Sequence, residues 1–272
     1  MKPLSLCLIL FLSARAYAQS LPKTENVPGG VAAVEINDHT RPMAFYRHNR
    51  VMVIGHPGDW TAVVGIPLDA GAGTQQLIVR NGKGTAVYDF DIADKQYAIQ
   101  RITIRDKRKV NPTQLDMKRI NRETALIQKA KATWSDRDEV PLSLDLPVTG
   151  PYSSPFGLRR FFNGQPRKPH SGLDIVVPEG TPIRAPAAGK IINTGNYFFN
   201  GNSVFIDHGQ GLVTMYCHMQ RIDVKQGQRV ARGEIIGRVG KTGRATGAHL
   251  HWSVILNKTV VDPVLFLNQS KK

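Results

Sequence analysis

Short runs of β-prone residues, separated by turn residues, occupy most of the first hundred positions. The runs fall at 31–36, 50–54, 60–66, 76–80, 85–92 and 97–104. Gly, Pro, Asn and Asp stand between them and favour turns, as in Gly55-His56-Pro57-Gly58-Asp59. This pattern predicts a small β-sandwich-like domain over residues 19–105.

The pattern changes over residues 106–140, where Lys, Arg, Asp and Gln dominate. Asn111 followed by Pro112 is typical of a helix start, because an N-cap residue then precedes proline at the first helical position. Apolar residues of the helix that would follow recur on one face, at Leu115, Ile120, Ile127 and Ala130. We predict a basic helical connector whose charges form a solvated surface or, alternatively, help to hold a substrate.

Residues 141–272 return to short β-prone runs with Gly-rich turns between them. The runs fall at 175–177, 189–194, 203–207, 212–218, 228–230, 235–239 and 250–256. No long helical period interrupts them, so this half is predicted to be a folded antiparallel β-sheet or a two-layer sandwich. The whole chain is therefore predicted to be mainly β, with two β domains joined by a helical connector.

The first eighteen residues have the features of a secretory signal peptide. Lys2 precedes an apolar run over residues 3–12, and small residues follow at Ala16 and Ala18. About ten apolar residues are too few to cross a bilayer. We therefore expect an exported protein, in the periplasm or cell envelope or secreted, without a transmembrane segment in the mature chain.

The formal net charge is +15, which favours anionic partners such as cell walls and membrane surfaces. Nucleic acid is not an expected partner, because the aromatic residues that would stack on bases make up only 7% of the chain. Loss of the signal would leave Cys217 as the one cysteine, which excludes an internal disulfide. Its apolar neighbours favour a buried residue over a nucleophile.

Two short stretches carry the residues of a candidate metal site. His170 and Asp174 lie four residues apart across Gly172, which would let the backbone bend. His249 and His251 are two residues apart on a predicted strand, so both side chains point to the same face. Two nitrogens and one oxygen with an open fourth position are typical of catalytic zinc, which lowers the pKa of its water to about 7. Spacing alone leaves open which histidine of the pair binds the metal.

Hydrolysis with such a water also needs a group that accepts a proton and returns it to the leaving amine. Histidine suits this task, and His218 and the remaining histidine of the pair are the candidates. His208, in Asp207-His208-Gly209, is expected instead to make a structural hydrogen bond at a turn.

An ordered set of motifs over about residues 140–267 resembles the lysostaphin-type (LytM-type) zinc metallopeptidases, which cut the peptide part of peptidoglycan. The motifs are Phe156-Gly157-Leu158-Arg159-Arg160, Asn163-Gly164, His170-x-x-x-Asp174, Tyr216-Cys217-His218 and Gly243-Arg244-x-x-Gly247-x-His249-Leu250-His251. The resemblance implies Zn²⁺ ligands at His170, Asp174 and His251, and catalytic roles for His249 and His218. Tyr197 lies where some members place an oxyanion-stabilising tyrosine, but with different spacing.

The resemblance implies an exported zinc-dependent endopeptidase that hydrolyses peptide bonds in peptidoglycan cross-links or stem peptides. The alternative is a non-catalytic peptidoglycan-binding regulator of another wall hydrolase. All five site positions are present, which favours the enzyme, because a module without chemistry has no need of them. The first β domain resembles the amino-terminal domain of some exported members, which raises the hypothesis that it covers the cleft.

Overall fold

The computed structural model describes residues 21–268, so the predicted signal segment 1–18 lies outside the described residues. The first part of the chain forms a six-stranded antiparallel sheet. Its strands are β1 (Val31–Ile36), β2 (Met43–Tyr46), β3 (Asn49–His56), β4 (Asp59–Gly65), β5 (Gly73–Asn81) and β6 (Gly84–Ile92). Their order across the sheet is β1-β4-β3-β2-β5-β6. An amino-terminal β domain is therefore confirmed, and β2 is a strand that the hydrophobic pattern missed.

The remaining strands build the carboxy-terminal half. They are β7 (Ile99–Ile102), β8 (Tyr152–Ser154), β9 (Arg159–Phe162), β10 (Gln165–Pro166), β11 (Leu173–Ile175), β12 (Pro182–Arg184), β13 (Gly189–Tyr197), β14 (Gly201–Gly209), β15 (Leu212–Met219), β16 (Arg221–Ile222), β17 (Arg229–Val230), β18 (Ile235–Arg238), β19 (Leu250–Leu256) and β20 (Thr259–Val261). One large sheet has the order β17-β13-β14-β15-β19-β11-β8, and β20 pairs with β19. The mainly β prediction is confirmed.

Strand β7 pairs differently from the prediction, which placed the run 97–104 in the first β domain. β7 runs parallel to β9, with Ile99 opposite Arg159 and Ile102 opposite Phe162. Parallel partners must be joined by a long crossover, so neighbouring sequence does not reveal this pairing. The chain thus contributes a strand to the second half before the connector begins.

The helix α1 (Gln114–Lys131) begins later than predicted. Thr113, not Asn111, is the N-cap: its hydroxyl accepts the Asp116 backbone N–H at 3.2 Å, and the Asp116 carboxylate accepts the Thr113 N–H at 3.0 Å. This reciprocal capping box satisfies two helix-end donors, which explains why it prevails over the Asn111-Pro112 signal. Among the described residues, no helix has both the length and the apolar character needed to cross a bilayer.

The predicted apolar face of α1 is partly wrong. Ala130 is buried and Ile127 packs beside it against the large sheet, as predicted, but Leu115 is 75% exposed. Two short 3₁₀ helices, Lys107–Lys109 and Pro263–Phe266, complete the helical segments that the structure describes.

The first sheet is buried on both sides at β3. Val51 and Val53 enter the core of the first domain, whereas Met52 and Ile54 enter the core of the second half, as the alternation of side chains along a strand requires. The Asn257 side chain joins the two halves, because its Oδ1 accepts the Gly65 N–H at 2.6 Å and its Nδ2 donates to the Gly65 carbonyl at 3.0 Å. The two β domains are therefore one packed unit.

Candidate metal centre

Strand register brings the two halves of the predicted metal site together. In the antiparallel pair β11 and β19, Asp174 lies directly opposite His251. His170 precedes β11, and its backbone is held on both sides: its N–H donates to the Leu158 carbonyl and its carbonyl accepts the Gly157 N–H, both at 2.9 Å. Three residues from two distant segments of the sequence thus converge on one point.

The converging atoms form a small triangle. His170 Nε2 lies 3.0 Å from Asp174 Oδ1 and 3.0 Å from His251 Nδ1, and the His251 Nδ1 to Asp174 Oδ1 distance is 2.7 Å. Tetrahedral zinc with ligand distances of about 2.0–2.1 Å would separate such atoms by about 3.3 Å. The triangle is therefore slightly contracted, and a small outward shift of the three side chains would fit the ion.

The hydrogen bonds of His170 show why a cation suits this triangle. His170 Nδ1 lies 2.8 Å from the Pro155 carbonyl. Because a carbonyl only accepts, Nδ1 carries the proton here, and Nε2 is the ring nitrogen that faces Asp174. Nε2 is therefore available to coordinate a cation shared with Asp174 Oδ1, which lies 3.0 Å away.

Asp174 is held as an anion. Burial acts to raise its pKa, but its contacts with His170 and His251 outweigh burial and lower the pKa below its usual range. Burial lowers the pKa of His251 to about 4, so that ring is neutral at physiological pH. His251 Nε2 also lies 3.0 Å from Ser253 Oγ, which fixes the orientation of the ring.

Arg160, in the motif Phe156-Gly157-Leu158-Arg159-Arg160, contacts the candidate ligand Asp174 directly, which the motif alone does not predict. Its guanidinium donates to Asp174 Oδ2 at 2.8 Å, and its Nε donates to Gln100 Oε1 at 2.9 Å. The Gln100 side chain in turn donates to Ser154 Oγ at 2.8 Å. This chain of contacts leaves Oδ1 as the oxygen that faces the histidines, so β7 helps to orient a ligand of the second half.

Gly172 is needed for a reason different from the predicted backbone bend. A Cβ atom at this position would lie 2.4 Å from the Trp252 carbonyl oxygen and 2.9 Å from His251 Cε1. Glycine at position 172 therefore lets the backbone that leads into β11 pass close to β19 and to the ring of His251, a candidate ligand.

We expect Gly172→Ala to weaken zinc binding by about 10- to 100-fold, as changes to groups that support metal ligands do. The measurement is zinc affinity by competition with a chromophoric chelator. Gly82→Ala is the matched control, since a Cβ at Gly82 meets nothing within 4 Å. Unchanged affinity in Gly172→Ala would contradict the steric argument.

His249 and His218 lie beside the triangle but outside it. His249 Nε2 is 4.0 Å from Asp174 Oδ1, and the centroids of the His218 and His249 rings are 4.9 Å apart. The Nδ1 atom of each ring hydrogen-bonds a backbone carbonyl. His249 Nδ1 lies 2.9 Å from the Gly247 carbonyl oxygen, and His218 Nδ1 lies 2.8 Å from the Thr242 carbonyl oxygen. In the neutral rings Nε2 is therefore the basic atom in both cases.

The backbone of His218 adopts φ 62°, in the left-handed region, where a branched or bulky residue is uncommon. Burial, with His249 and His251 nearby, lowers the pKa of His218 to about 3. An unusual backbone and a perturbed pKa coincide at a cleft, which is typical of a functional position.

The five predicted residues meet at a cleft of about 850 Å³. His218, His249, His251 and Asp174 line it, and His170 is buried behind them. The first half of the chain contributes wall residues only from the region 100–124 among the described residues, including Gln100 and Ile120, and not from the six-stranded sheet. Blocking of the cleft by that sheet stays a prediction.

Three other candidates belong to the core. Tyr197 is buried, packs edge-on against Phe205, and hydrogen-bonds Asn193 through its hydroxyl, and it is not among the described residues that line the cleft. His208 is buried in β14 rather than at the predicted turn. Its Nδ1 lies 2.9 Å from the Ala188 carbonyl and its Nε2 lies 2.8 Å from Thr214 Oγ1, which confirms the predicted structural hydrogen bonding. Cys217 is buried, as predicted, and burial raises the pKa of its thiol to about 12, but it also lies along the cleft.

Two family models match the chain. Peptidase family M23 matches residues 168–263, and the Peptidase family M23 N-terminal domain matches residues 24–95. A crystal structure from Pseudomonas aeruginosa, assigned to peptidase M23, is 46% identical, covers 90% of this chain and 96% of that chain, and superposes with a TM-score of 0.77.

Two relatives match the second half. DD-carboxypeptidase/endopeptidase Mpg of Neisseria meningitidis is 44% identical over 112 residues, which are 41% of this chain and 26% of the relative. Peptidoglycan DD-endopeptidase ShyA of Vibrio cholerae is 46% identical over 88 residues, which are 32% of this chain and 20% of the relative. The similarity thus spans about a quarter or less of the length of these relatives.

Proposed function

The chain belongs to peptidase family M23, and from this premise we propose that it is an exported zinc endopeptidase that hydrolyses peptide bonds of peptidoglycan, in cross-links or stem peptides. The observation that carries the proposal is the convergence of His170, Asp174 and His251 through atoms within 4.8 Å of one another. Two relatives are named endopeptidases of the DD type, and we extend that substrate class to this chain. Export rests on the sequence of residues 1–18.

His170 Nε2, Asp174 Oδ1 and His251 Nδ1 would hold the ion. Zinc in such a site polarises a carbonyl and lowers the pKa of water to about 7. Arg160 keeps Asp174 turned toward the histidines through the contact at 2.8 Å. The hydrogen bonds of His170 to Pro155 and of His251 to Ser253 keep both rings in place before any substrate arrives.

His249 and His218 would move the proton. Their Nε2 atoms are the basic positions beside the triangle, so either can accept a proton from the attacking water and return it to the departing amine. Neutral rings are required for the first of these steps. Burial, with His249 and His251 nearby, lowers the pKa of His218 to about 3, which keeps that ring neutral at physiological pH but makes it a weaker proton acceptor than an ordinary histidine.

The alternative, a regulator without catalysis, has no need for two oriented basic nitrogens next to a complete ligand triangle. The geometry therefore supports the enzyme over the regulator.

Digestion of purified peptidoglycan, with fragments identified by mass, tests the proposal. We expect the zinc-loaded protein to release peptide-cleaved fragments, a chelator to abolish the release, and added zinc to restore it. Binding to the wall without any cleavage by the zinc-loaded protein would contradict the proposal and support the regulator.

A further inference from the structure

One guanidinium group in the cleft has most of its hydrogen-bond donors unused. Arg244 lies in the loop between Gly240 and His249, two residues joined by an isolated β-bridge. Its side chain makes one hydrogen bond within the described part of the chain, to the Lys109 carbonyl at 3.3 Å. A guanidinium carries five N–H groups, so Arg244 retains donors for a ligand.

Arg244 is nevertheless held in a fixed position. Its guanidinium carbon lies 4.6 Å from the centroid of the Phe162 ring and 4.4 Å from that of Phe199. Its backbone N–H donates to the Phe199 carbonyl at 2.8 Å. Stacking between two rings leaves the edge of the planar group, where its donors point, as the part available for contact.

The surroundings of Arg244 are positively charged. Arg160, Arg167 and Lys168 line the same cleft, and Asp174 is its one carboxylate among the described lining residues. The Asp174 carboxylate already contacts Arg160 and the two histidines, His170 and His251, so it does not neutralise Arg244. Within residues 21–268, Arg167 donates hydrogen bonds only to neutral oxygens, at Val110, Asn111, Gln165 and Pro166. Burial, with Arg160 and Arg167 nearby, lowers the pKa of Arg244 to about 10, so it stays a cation at neutral pH.

We propose that Arg244, supported by Arg167, forms a carboxylate-binding subsite beside the metal centre, which selects peptides with a free carboxylate next to the scissile amide. The inference rests on the proposed function and deepens it. A planar fork with unused donors matches a carboxylate in two-point contact. A neutral glycine bridge offers no anion to this end of the cleft, whereas a D-alanyl to diaminopimelate cross-link does.

Two synthetic peptides test the subsite. Both contain a D-alanyl to meso-diaminopimelate bond, and they differ only in whether the diaminopimelate carboxyl next to the scissile amide is free or a carboxamide. We expect the wild-type protein to favour the free carboxylate by about 10- to 100-fold in kcat/KM, as charge-assisted hydrogen bonds would give. Arg244→Gln should remove that preference, chiefly through KM, because the contact already exists in the bound substrate.

Control variants separate the subsite from general effects of charge and folding. Arg229 is exposed and outside the cleft, so Arg229→Gln removes the same charge and should keep the preference. Arg167→Gln should reduce it less than Arg244→Gln, and Arg244→Lys should retain part of it. Zinc content reports on folding of each variant, and if Arg244→Gln does not fold, Arg244→Lys decides.

Three outcomes would overturn the inference. Equal cleavage of the two peptides by the wild-type protein would do so, as would a full preference in a zinc-loaded Arg244→Gln, or in Arg244→Lys where that variant decides. Failure of the zinc-loaded wild-type protein to cut either peptide or purified peptidoglycan would instead overturn the proposed function, and the inference with it.

Discussion

Replacing Asp174 with alanine is expected to weaken zinc binding by more than about 100-fold, since even groups that only support metal ligands contribute 10- to 100-fold. Asp174 would supply the one negative charge among the three proposed ligands, and its Oδ1 lies within 3.0 Å of both histidine nitrogens. Asp174→Asn should fail in the same way, because the amide keeps the shape but not the charge. Zinc content after dialysis and the rate of peptidoglycan digestion are the two measurements.

Asp223 provides the matched control for this experiment. It is exposed and pairs with Arg221, so Asp223→Ala removes a carboxylate from an ion pair away from the cleft. That variant should keep its zinc. An Asp174→Ala protein that retains both stoichiometric zinc and full rate would refute the ligand assignment.

His249→Ala should lower kcat by at least about 100-fold while leaving zinc in place, as loss of an acid–base group does. The physical reason is distance: His249 Nε2 is 4.0 Å from Asp174 Oδ1, whereas His251 Nδ1 is 2.7 Å from it. The test compares zinc content and single-turnover rate in His249→Ala and His251→Ala. We expect the second variant, not the first, to lose the metal.

The opposite zinc contents in these two variants would change the assignment of the histidines. If His249→Ala lost its zinc while His251→Ala kept it, the roles of the two histidines would be reversed. A His249→Ala protein with zinc and a wild-type rate would leave His218 as the remaining proton carrier and remove His249 from the mechanism.

Hydrophobic patterning predicted the strands whose pairing is local. The pattern placed β1 at 31–36 and β19 at 250–256, the bounds that both strands have in the structure. It missed β2, which has only four residues and follows Arg41-Pro42. It also misplaced β7, because pairing with β9 depends on residues sixty positions away, which no local signal encodes.

The candidate ligands were accessible to sequence reasoning because their spacing is short and their chemistry is specific. Arg160 was not, since its role depends on contacts with Asp174 and with Gln100 from β7. The sequence predicts only a flexible backbone at Gly172, whereas the structure shows that a larger side chain there would collide with Trp252 and His251 on a different strand. Contacts of this kind exist only once the strands are paired.

The cross-strand position of Asp174 and His251 links metal loading to folding. β11 has only three residues, which is too short to define its alignment from its own hydrophobic pattern. A slip by one residue would turn Asp174 to the opposite face and set Leu173 or Ile175 beside the histidine. An ion bound by both side chains would stabilise only the register in which they lie opposite each other, so metal binding would favour the correct strand alignment during folding.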